Sequence, residues 1–207
     1  MKKSHNSNGR PKGSGCGPAR PLTSTEVKIL FGSINGKRGS YYRAMIAFGL
    51  YAGFRCSTIT GLTRGDVITN GKCRDFICLS KHRQKNKRSK RYPIAKAGIA
   101  IIQEYIDTMS REEQLDSEKP LFPSYRGGGF IPKNSASRMI TNLIKSAGLE
   151  QVSSHSLRKG FSLKLLTAGY GLETIKTALD HKHLSTTLHY LGNIQPKADK
   201  AVLNLEY

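Results

Sequence analysis

The feature that most constrains this fold is a change of hydrophobic period in the middle of the chain. Residues 66–80, DVITNGKCRDFICLS, predict two short strands around Asn70-Gly71, a dipeptide that favours the tight turn of a β-hairpin. Residues 90–95, KRYPIA, predict a third strand. On either side, apolar residues recur at the three- and four-residue spacing of helices. The sequence therefore predicts a mainly α-helical α+β domain with a small three-stranded antiparallel β-sheet.

Helices are predicted on both sides of this sheet. The first begins at Thr23, which has capping-box spacing to Glu26. The second ends at Gly53, because glycine can close a helix in the left-handed conformation. The remaining predicted helices cover residues 97–109, 135–148, 155–169, 172–180 and 184–192.

The charge of the chain points to a polyanionic partner. Its 207 residues include 34 Lys and Arg against 14 Asp and Glu, a formal net charge of +20. A compact domain with this charge repels itself unless a polyanion is bound, so double-stranded DNA is the expected partner, with an anionic membrane as the alternative. An apolar run of about 18 residues and an apolar signal core are both missing, so neither a membrane span nor secretion is expected. The predicted location is the cytoplasm, or the nucleus of a eukaryotic host.

Two segments are predicted along the chain. Residues 1–20 hold five basic residues, no acidic residue and almost nothing to bury, which is typical of a disordered basic arm. Residues 21–207 are predicted to form one folded domain. The four cysteines show neither a CxxC pair nor zinc-ligand spacing, and they are expected to be free thiols.

One helix start carries a candidate phosphate site. His155 and Arg158, in SHSLRKGF, lie three residues apart and so share a helix face. Ser153 or Ser154 can cap this helix, which puts both side chains near its positive end, where a phosphate is favoured. The alternative is a capping histidine with an unrelated surface arginine.

A second arginine stands out in YAGFRCSTITGLTRGDV. Arg55 follows Gly53, just beyond the end of a predicted buried helix. Its forked donors suit a phosphate group. A salt bridge to Asp66 is the alternative, purely structural role.

A basic loop is predicted between two of the strands. Seven of the twelve residues from Lys81 to Tyr92 are Lys or Arg. Such a run is usually a solvated face, but a loop that links two strands is expected to act as a basic finger on a nucleic-acid backbone. The predicted DNA-binding residues are Lys81, Arg83, Lys87, Arg88, Lys90 and Arg91, together with Lys159.

The last predicted helix carries an outward tyrosine. Leu184, Leu188 and Leu191 have the spacing of a core stripe, and Tyr190 lies roughly 200° from Leu188 around the helix. A half-exposed tyrosine is the simplest interpretation of this position alone. His181 falls in the preceding turn, where the neighbouring histidines lack the ligand spacing of a zinc site. No metal or other cofactor is predicted.

Taken together, these residues form the set that phosphoryl transfer without a metal requires. Arginines bind non-bridging oxygens and neutralise charge in the transition state. A tyrosine can attack phosphorus and form a covalent intermediate. A lysine or histidine can protonate the leaving hydroxyl.

The order and spacing of these residues resemble the tyrosine recombinase (phage integrase) family. GFRCS, HSLR and LDHKHLSTTLHY match three motifs of that family, and the histidine and tyrosine of the third motif lie nine residues apart. Counting back from Pro93 in the basic loop identifies Lys85 as the family's lysine, with Lys87 and Lys81 as alternatives. The resemblance implies the catalytic set Arg55, Lys85, His155, Arg158, His181 and Tyr190, with Tyr190 as the nucleophile.

The resemblance also implies a function and an assembly. A member of this family is expected to be a site-specific DNA recombinase that works through a 3′-phosphotyrosyl intermediate. It is expected to act as a homotetramer on two DNA sites, to be a dimer or monomer without DNA, and in some cases to need an accessory DNA-bending protein. A bacterial or mobile-element host and a nucleoid location fit this family. A DNA-binding regulator on a recombinase scaffold and a type IB topoisomerase-like relaxing enzyme remain as alternatives.

The chain also departs from the family's usual pattern. It is expected to lack the separate N-terminal DNA-clamping domain, as in short members such as fimbrial-switch invertases. By analogy with the family, its tail after Tyr190 is expected to dock on a neighbouring subunit, with docking on its own core as the alternative. Thr58, Asp180 and Lys159 stand where glutamate, glycine and histidine are common. None of these changes removes a catalytic group, but Asp180 is expected to raise the pKa of His181.

Overall fold

A computed structural model describes residues 19–79, 90–125 and 127–191, except for the side chain of His189. The longer helices are α1 (Ser24–Ser33), α2 (Gly39–Tyr51), α5 (Lys96–Ile106), α7 (Lys133–Ser146), α8 (Ser154–Thr167) and α10 (Leu184–Leu191). The shorter helices are α3 (Cys56–Thr60), α4 (Arg64–Val67), α6 (Arg111–Leu115) and α9 (Leu172–Ala178). The strands are β1 (Ile68–Thr69), β2 (Lys72–Cys73), β3 (Phe76–Leu79) and β4 (Lys90–Pro93). Within the described residues, no helix has both the length and the apolar character needed to cross a membrane.

The N-terminus of α1 is closed by the predicted capping box. The Thr23 hydroxyl accepts a hydrogen bond from the Glu26 N–H, and the Glu26 carboxylate accepts one from the Thr23 N–H. Arg20 pairs with the same carboxylate, and its hydrogen bond is the main reason that the pKa of Glu26 falls to about 2. The Arg20 N–H also donates to the carbonyl of Gln151. Arg20, the last residue of the predicted arm, therefore lies within the fold, whereas residues 1–18 lie outside the described part of the chain.

The hairpin signal at Asn70-Gly71 is confirmed. Both residues have positive φ, 51° and 75°, and β1 and β2 pair in antiparallel register on either side of them. The predicted second strand is divided in two, because the Arg74 N–H donates to the carbonyl of Val67 and closes the first hairpin. Four strands thus form two separate two-stranded antiparallel sheets in the described residues, β1 with β2 and β3 with β4, rather than one three-stranded sheet.

Helix α2 lies at the centre of the apolar core, packed against α5 and α8. Phe48 of α2 contacts the rings of Phe54 and Phe122. Fully burying a side chain of this size contributes about 1.5–3 kcal/mol. The core therefore fixes the C-terminal end of α2, from which the chain turns towards Arg55.

Gly53 makes that turn, as predicted. Its φ of +65° is a conformation that side chains with a Cβ rarely adopt. A Cβ at this position would also lie 2.6 Å from Cδ1 of Phe161 on α8. Glycine is thus required here for its backbone conformation and for the close approach of α8.

Candidate active site

Three parts of the chain come together around Arg158. They are the turn between α2 and α3, the first turns of α8, and the α9–α10 turn with helix α10 itself. The structure brings together the sequence-predicted residues Arg55, His155, Arg158, His181 and Tyr190 from these three parts.

Arg158 is the buried centre of this cluster. Its side chain is on α8 and only 4% exposed, and its two terminal nitrogens donate to the carbonyls of Gly53 and Leu179. Its Nε has no hydrogen-bond partner among the described residues. Burial, and then the positive charge of Arg55, lower its pKa to about 10, while the nearby Tyr190 acts in the opposite direction. A cation under this desolvation is stabilised when an anion binds beside it.

Arg55 supplies a second positive charge. It is the N-cap residue of α3 and is exposed to solvent. Its charge lowers the pKa of Arg158, His155 and His181, so these four side chains form one electrostatic group. The Asp66 carboxylate accepts a hydrogen bond from the Thr63 N–H and so forms the capping box of α4.

His155 lies in the first turn of α8, whose N-cap is Ser153. The residue is exposed, yet local desolvation and then the positive charges of Lys133, Arg158 and Lys159 lower its pKa. His155 is therefore neutral near pH 7 and can accept a proton.

Lys133 is a residue that sequence reasoning missed. It begins α7, and its carbonyl lies 3.7 Å from Sγ of Cys56, the residue after Arg55. Its positive charge lowers the pKa of His155. Burial raises the pKa of the Cys56 thiol, and the charge of Lys133 offsets part of that rise. A single lysine far away in the sequence gives no motif, so only the fold reveals this position.

His181 is held in a buried turn. It is 6% exposed, its Nδ1 lies 3.0 Å from Oγ1 of Thr187, and its Nε2 has no hydrogen-bond partner among the described residues. Burial, and then the charges of Arg158 and Arg55, lower its pKa to about 4. Asp180 raises this pKa, as expected, but the other effects outweigh it. His181 is thus neutral at pH 7.

Tyr190 packs against this histidine. The ring centroids of Tyr190 and His181 are 4.9 Å apart with an interplanar angle of 65°. Cζ of Arg158 and Nζ of Lys159 each lie 5.9 Å from the centroid of the Tyr190 ring. Two cations and a neutral imidazole thus surround a half-buried phenol.

The prediction that α10 buries a stripe of three leucines is wrong at the middle one, Leu188. Leu188 is 38% exposed, whereas Thr187 is fully buried. The physical reason is that α10 packs on α8 and α9 at the polar cluster, so its inward face carries Thr187 and Tyr190.

Asp180 occupies a strained position in the α9–α10 turn. Its N–H donates to the carbonyl of Thr177 and the His181 N–H donates to that of Lys176, which is the Schellman pattern that ends many helices. This pattern requires a left-handed residue, and Asp180 has φ +51°. The geometry explains why glycine is favoured here, and an aspartate costs about 1 kcal/mol in backbone strain.

The Asp180 carboxylate connects this turn to β4. Its Oδ1 lies 3.3 Å from Nζ of Lys90, which also donates to the carbonyl of Thr177. Asp180 is hydrogen-bonded to Tyr92 too, and burial together with Asp180 raises the pKa of Tyr92 to about 12. Lys90, predicted to bind DNA, thus has its ammonium engaged within the protein. The guanidinium of Arg91 lies 3.3 Å from the ring centroid of Phe76.

Several predicted residues lie outside the described part of the chain. The loop residues are Lys81, Arg83, Lys85, Lys87 and Arg88, and the tail covers residues 193–207. Their roles stay predictions. Among the residues that are described, no group of three His, Cys, Asp or Glu side chains could hold a metal ion.

A family model and several curated proteins match most of this chain. The family model described as "Phage integrase family" matches residues 20–195. The tyrosine recombinase XerC of Syntrophus aciditrophicus (strain SB) is 31% identical over 157 residues, which are 72% of this chain and 47% of the relative. The chain spans about half the length of the curated relatives it matches.

Solved structures share the fold. XerA recombinase superposes with a TM-score of 0.71 at 21% identity, over 96% of this chain and 68% of that one. XerH site-specific recombinase, bound to its difH substrate in a pre-cleavage complex, superposes with a TM-score of 0.66 at 20% identity, over 92% of this chain and 55% of that one. These likenesses confirm the predicted fold class, a mainly helical domain with small antiparallel sheets.

Proposed function

Because the chain belongs to the phage integrase (tyrosine recombinase) family, we propose that it is a site-specific DNA recombinase that cleaves and rejoins strands through a 3′-phosphotyrosyl bond on Tyr190. The observation that carries the proposal is the Tyr190 ring beside the ring of His181 and the guanidinium of Arg158. A phenol, a neutral imidazole and a buried cation can together bind, orient and attack a phosphodiester.

Cleavage begins with a phosphate bound between the two arginines. Arg55 and Arg158 hold its non-bridging oxygens and neutralise the charge that builds up in the transition state. The Tyr190 oxygen attacks phosphorus, and as this bond forms, the bond from phosphorus to the 5′ oxygen breaks. The Tyr190 proton passes to neutral His155, and the 5′ oxygen takes up a proton, for which Lys85 is the predicted donor.

Rejoining reverses the same step. The energy of the phosphodiester is retained in the bond between tyrosine and the 3′ phosphate. The 5′-hydroxyl of a partner strand can therefore attack that phosphorus and release Tyr190. The scheme uses side chains alone and needs neither a metal nor a nucleotide cofactor.

DNA is the partner that the charge and the relatives support. The formal net charge of +20 favours a polyanion, and the Tn1549 transposon integrase, a structural neighbour, was solved in complex with a circular intermediate DNA. Two DNA sites held by a homotetramer would place two strands for exchange. This assembly, and any accessory DNA-bending protein, follow from the family resemblance.

Covalent trapping tests the proposal. Nicked duplexes that tile the DNA beside the protein's own gene are incubated with wild type and with Tyr190→Phe, and the products are run on a denaturing gel. A shifted band with wild type alone supports the recombinase. Tight DNA binding by both proteins with no shifted band would favour a DNA-binding regulator.

A second assay separates recombination from relaxation. A supercoiled plasmid without the trapped site is incubated with the wild-type protein. Exchange between two trapped sites without relaxation of this plasmid supports a site-specific recombinase, whereas relaxation of any plasmid would favour a topoisomerase-like enzyme.

A further inference from the structure

His181 and Thr187 form a buried polar pair at the candidate site. Thr187 is fully buried on α10, and its Oγ1 lies 3.0 Å from Nδ1 of His181. The described residues give this hydroxyl no other hydrogen bond, and they give Nε2 of His181 none at all. The pair therefore has two hydrogens, one on the ring and one on the hydroxyl, for three polar atoms: Nδ1, Nε2 and Oγ1. The position of the ring proton decides which of these atoms are hydrogen-bonded.

The two neutral tautomers of His181 differ in what they leave unpaired. With the proton on Nδ1, the ring donates to Thr187, the Thr187 hydrogen loses its one described acceptor, and Nε2 is a buried lone pair without a donor. With the proton on Nε2, Thr187 donates to Nδ1 and only the Nε2–H remains unpaired. Since buried polar groups without partners are costly, the second arrangement is favoured.

The charges around His181 favour a neutral ring, which makes the choice of tautomer matter. Arg158 and Arg55 disfavour a protonated ring and outweigh Asp180, while the Tyr190 ring packs against one edge. An Nε2–H can donate to an anionic phosphate oxygen, whereas a lone pair at Nε2 would repel it.

We propose that Thr187 is a positioning residue that donates its hydroxyl hydrogen to Nδ1 and so keeps the His181 proton on Nε2, from which it can be donated to a non-bridging phosphate oxygen once DNA binding uncovers this buried nitrogen. The use of that proton by DNA rests on the proposed function. The tautomer itself is a property of the free protein and is tested without any substrate.

The first test is spectroscopic. Full-length protein labelled with ¹⁵N at histidine is studied near pH 7 by long-range ¹H–¹⁵N correlation, and His181→Gln identifies the His181 signals. The expected pattern is an unprotonated Nδ1 and a protonated Nε2. A protonated Nδ1 in the wild type would overturn the proposal.

Matched variants supply the second test. Thr187→Val keeps the shape of the side chain but removes the hydroxyl, Thr187→Ser keeps the hydroxyl, and Thr186→Val changes an exposed neighbour on the same helix. We expect Thr187→Val to lose the single Nε2–H tautomer and to form the covalent complex on nicked duplex about tenfold more slowly. Thr187→Ser and Thr186→Val should keep the wild-type tautomer and rate.

The two readouts separate this proposal from the recombinase assignment. A hydroxyl-dependent Nε2–H tautomer in a protein that never forms a covalent complex would support the role of Thr187 and contradict the recombinase. A wild-type tautomer and rate in Thr187→Val would overturn the role of Thr187 and leave the recombinase intact.

Discussion

The guanidinium of Arg158 donates a hydrogen bond to the carbonyl of Gly53, which lies 105 residues earlier in the chain. Gly53 precedes Arg55 by two residues, so this one bond joins the two arginine motifs. Its geometry depends on a left-handed turn and on the contact between Gly53 and α8. The positions of the two arginines are therefore coupled through the backbone, and the first prediction concerns that turn.

Gly53→Ala should destabilise the protein more than an alanine at another left-handed glycine. Gly36 has φ +85°, and a Cβ added there would have no atom within 4 Å, so Gly36→Ala should cost only the backbone strain, about 1–2 kcal/mol. Gly53→Ala adds a clash with Phe161 and should cost about 2 kcal/mol more. Urea unfolding of both variants measures the difference, and equal costs would contradict the account.

Stability should fall as the pH drops from 7 to 5, with His181 as one cause. The unfolded histidine has a pKa of 6.5, and burial and nearby arginines lower the pKa of the folded one to about 4. The unfolded state therefore binds more protons between these values, so the stabilisation is complete above pH 6.5 and is lost towards pH 4.

Urea unfolding at several pH values isolates this contribution. His181→Gln should weaken the dependence of the unfolding free energy on pH. His183→Gln, at an exposed position in the same turn, is the control and should leave this dependence as in the wild type. Glu26 contributes mostly below this range, because the stability it provides is lost as the pH falls from its ordinary pKa of 4.5 towards its folded pKa of about 2. Identical slopes for the two variants would show that His181 is not held neutral by the fold.

Lys90 should contribute little to DNA binding despite its place in the basic run. Its ammonium is paired with Asp180 and donates to the carbonyl of Thr177. Lys90→Gln should therefore leave the salt dependence of DNA affinity almost unchanged, whereas Lys159→Gln should reduce the log–log slope by about 1. Fluorescence anisotropy with a labelled duplex at several salt concentrations measures both slopes, and an equal reduction would contradict this assignment.

Lys133 should act on both His155 and DNA. Removing its charge in Lys133→Gln should raise the pKa of His155, since that charge lowers it in the wild type. The salt slope of DNA binding should also decrease by about 1, because Lys133 lies beside the proposed phosphate site. Lys145→Gln, at an exposed position near the other end of α7, is the control for the pKa, which NMR titration measures. An unchanged His155 pKa in Lys133→Gln would contradict the proximity of the two side chains.

Local signals in the sequence predicted the local structure well. The Asn70-Gly71 turn, the Thr23 capping box and the helix end at Gly53 all formed as predicted, because each depends on residues close in sequence. The spacing of His181 and Tyr190 likewise indicated residues that the fold brings into contact.

Features that depend on tertiary packing escaped prediction. Helical periodicity placed Leu188 in the core, but α10 faces a polar cluster and buries Thr187 instead. The approach of Lys133 to His155 depends on how α7 packs near α3 and α8, for which the sequence offers no local pattern. The ion pair between Asp180 and Lys90 likewise joins residues that are 90 positions apart in the sequence.

The most direct test of the central claim is to identify the residue that becomes bonded to DNA. The covalent complex from nicked duplex is digested with nuclease and trypsin, and tandem mass spectrometry locates the nucleotide. The account predicts a phosphodiester-linked nucleotide on Tyr190 and no adduct in Tyr190→Phe. A nucleotide attached to any other residue, or an adduct that persists in Tyr190→Phe, would contradict it.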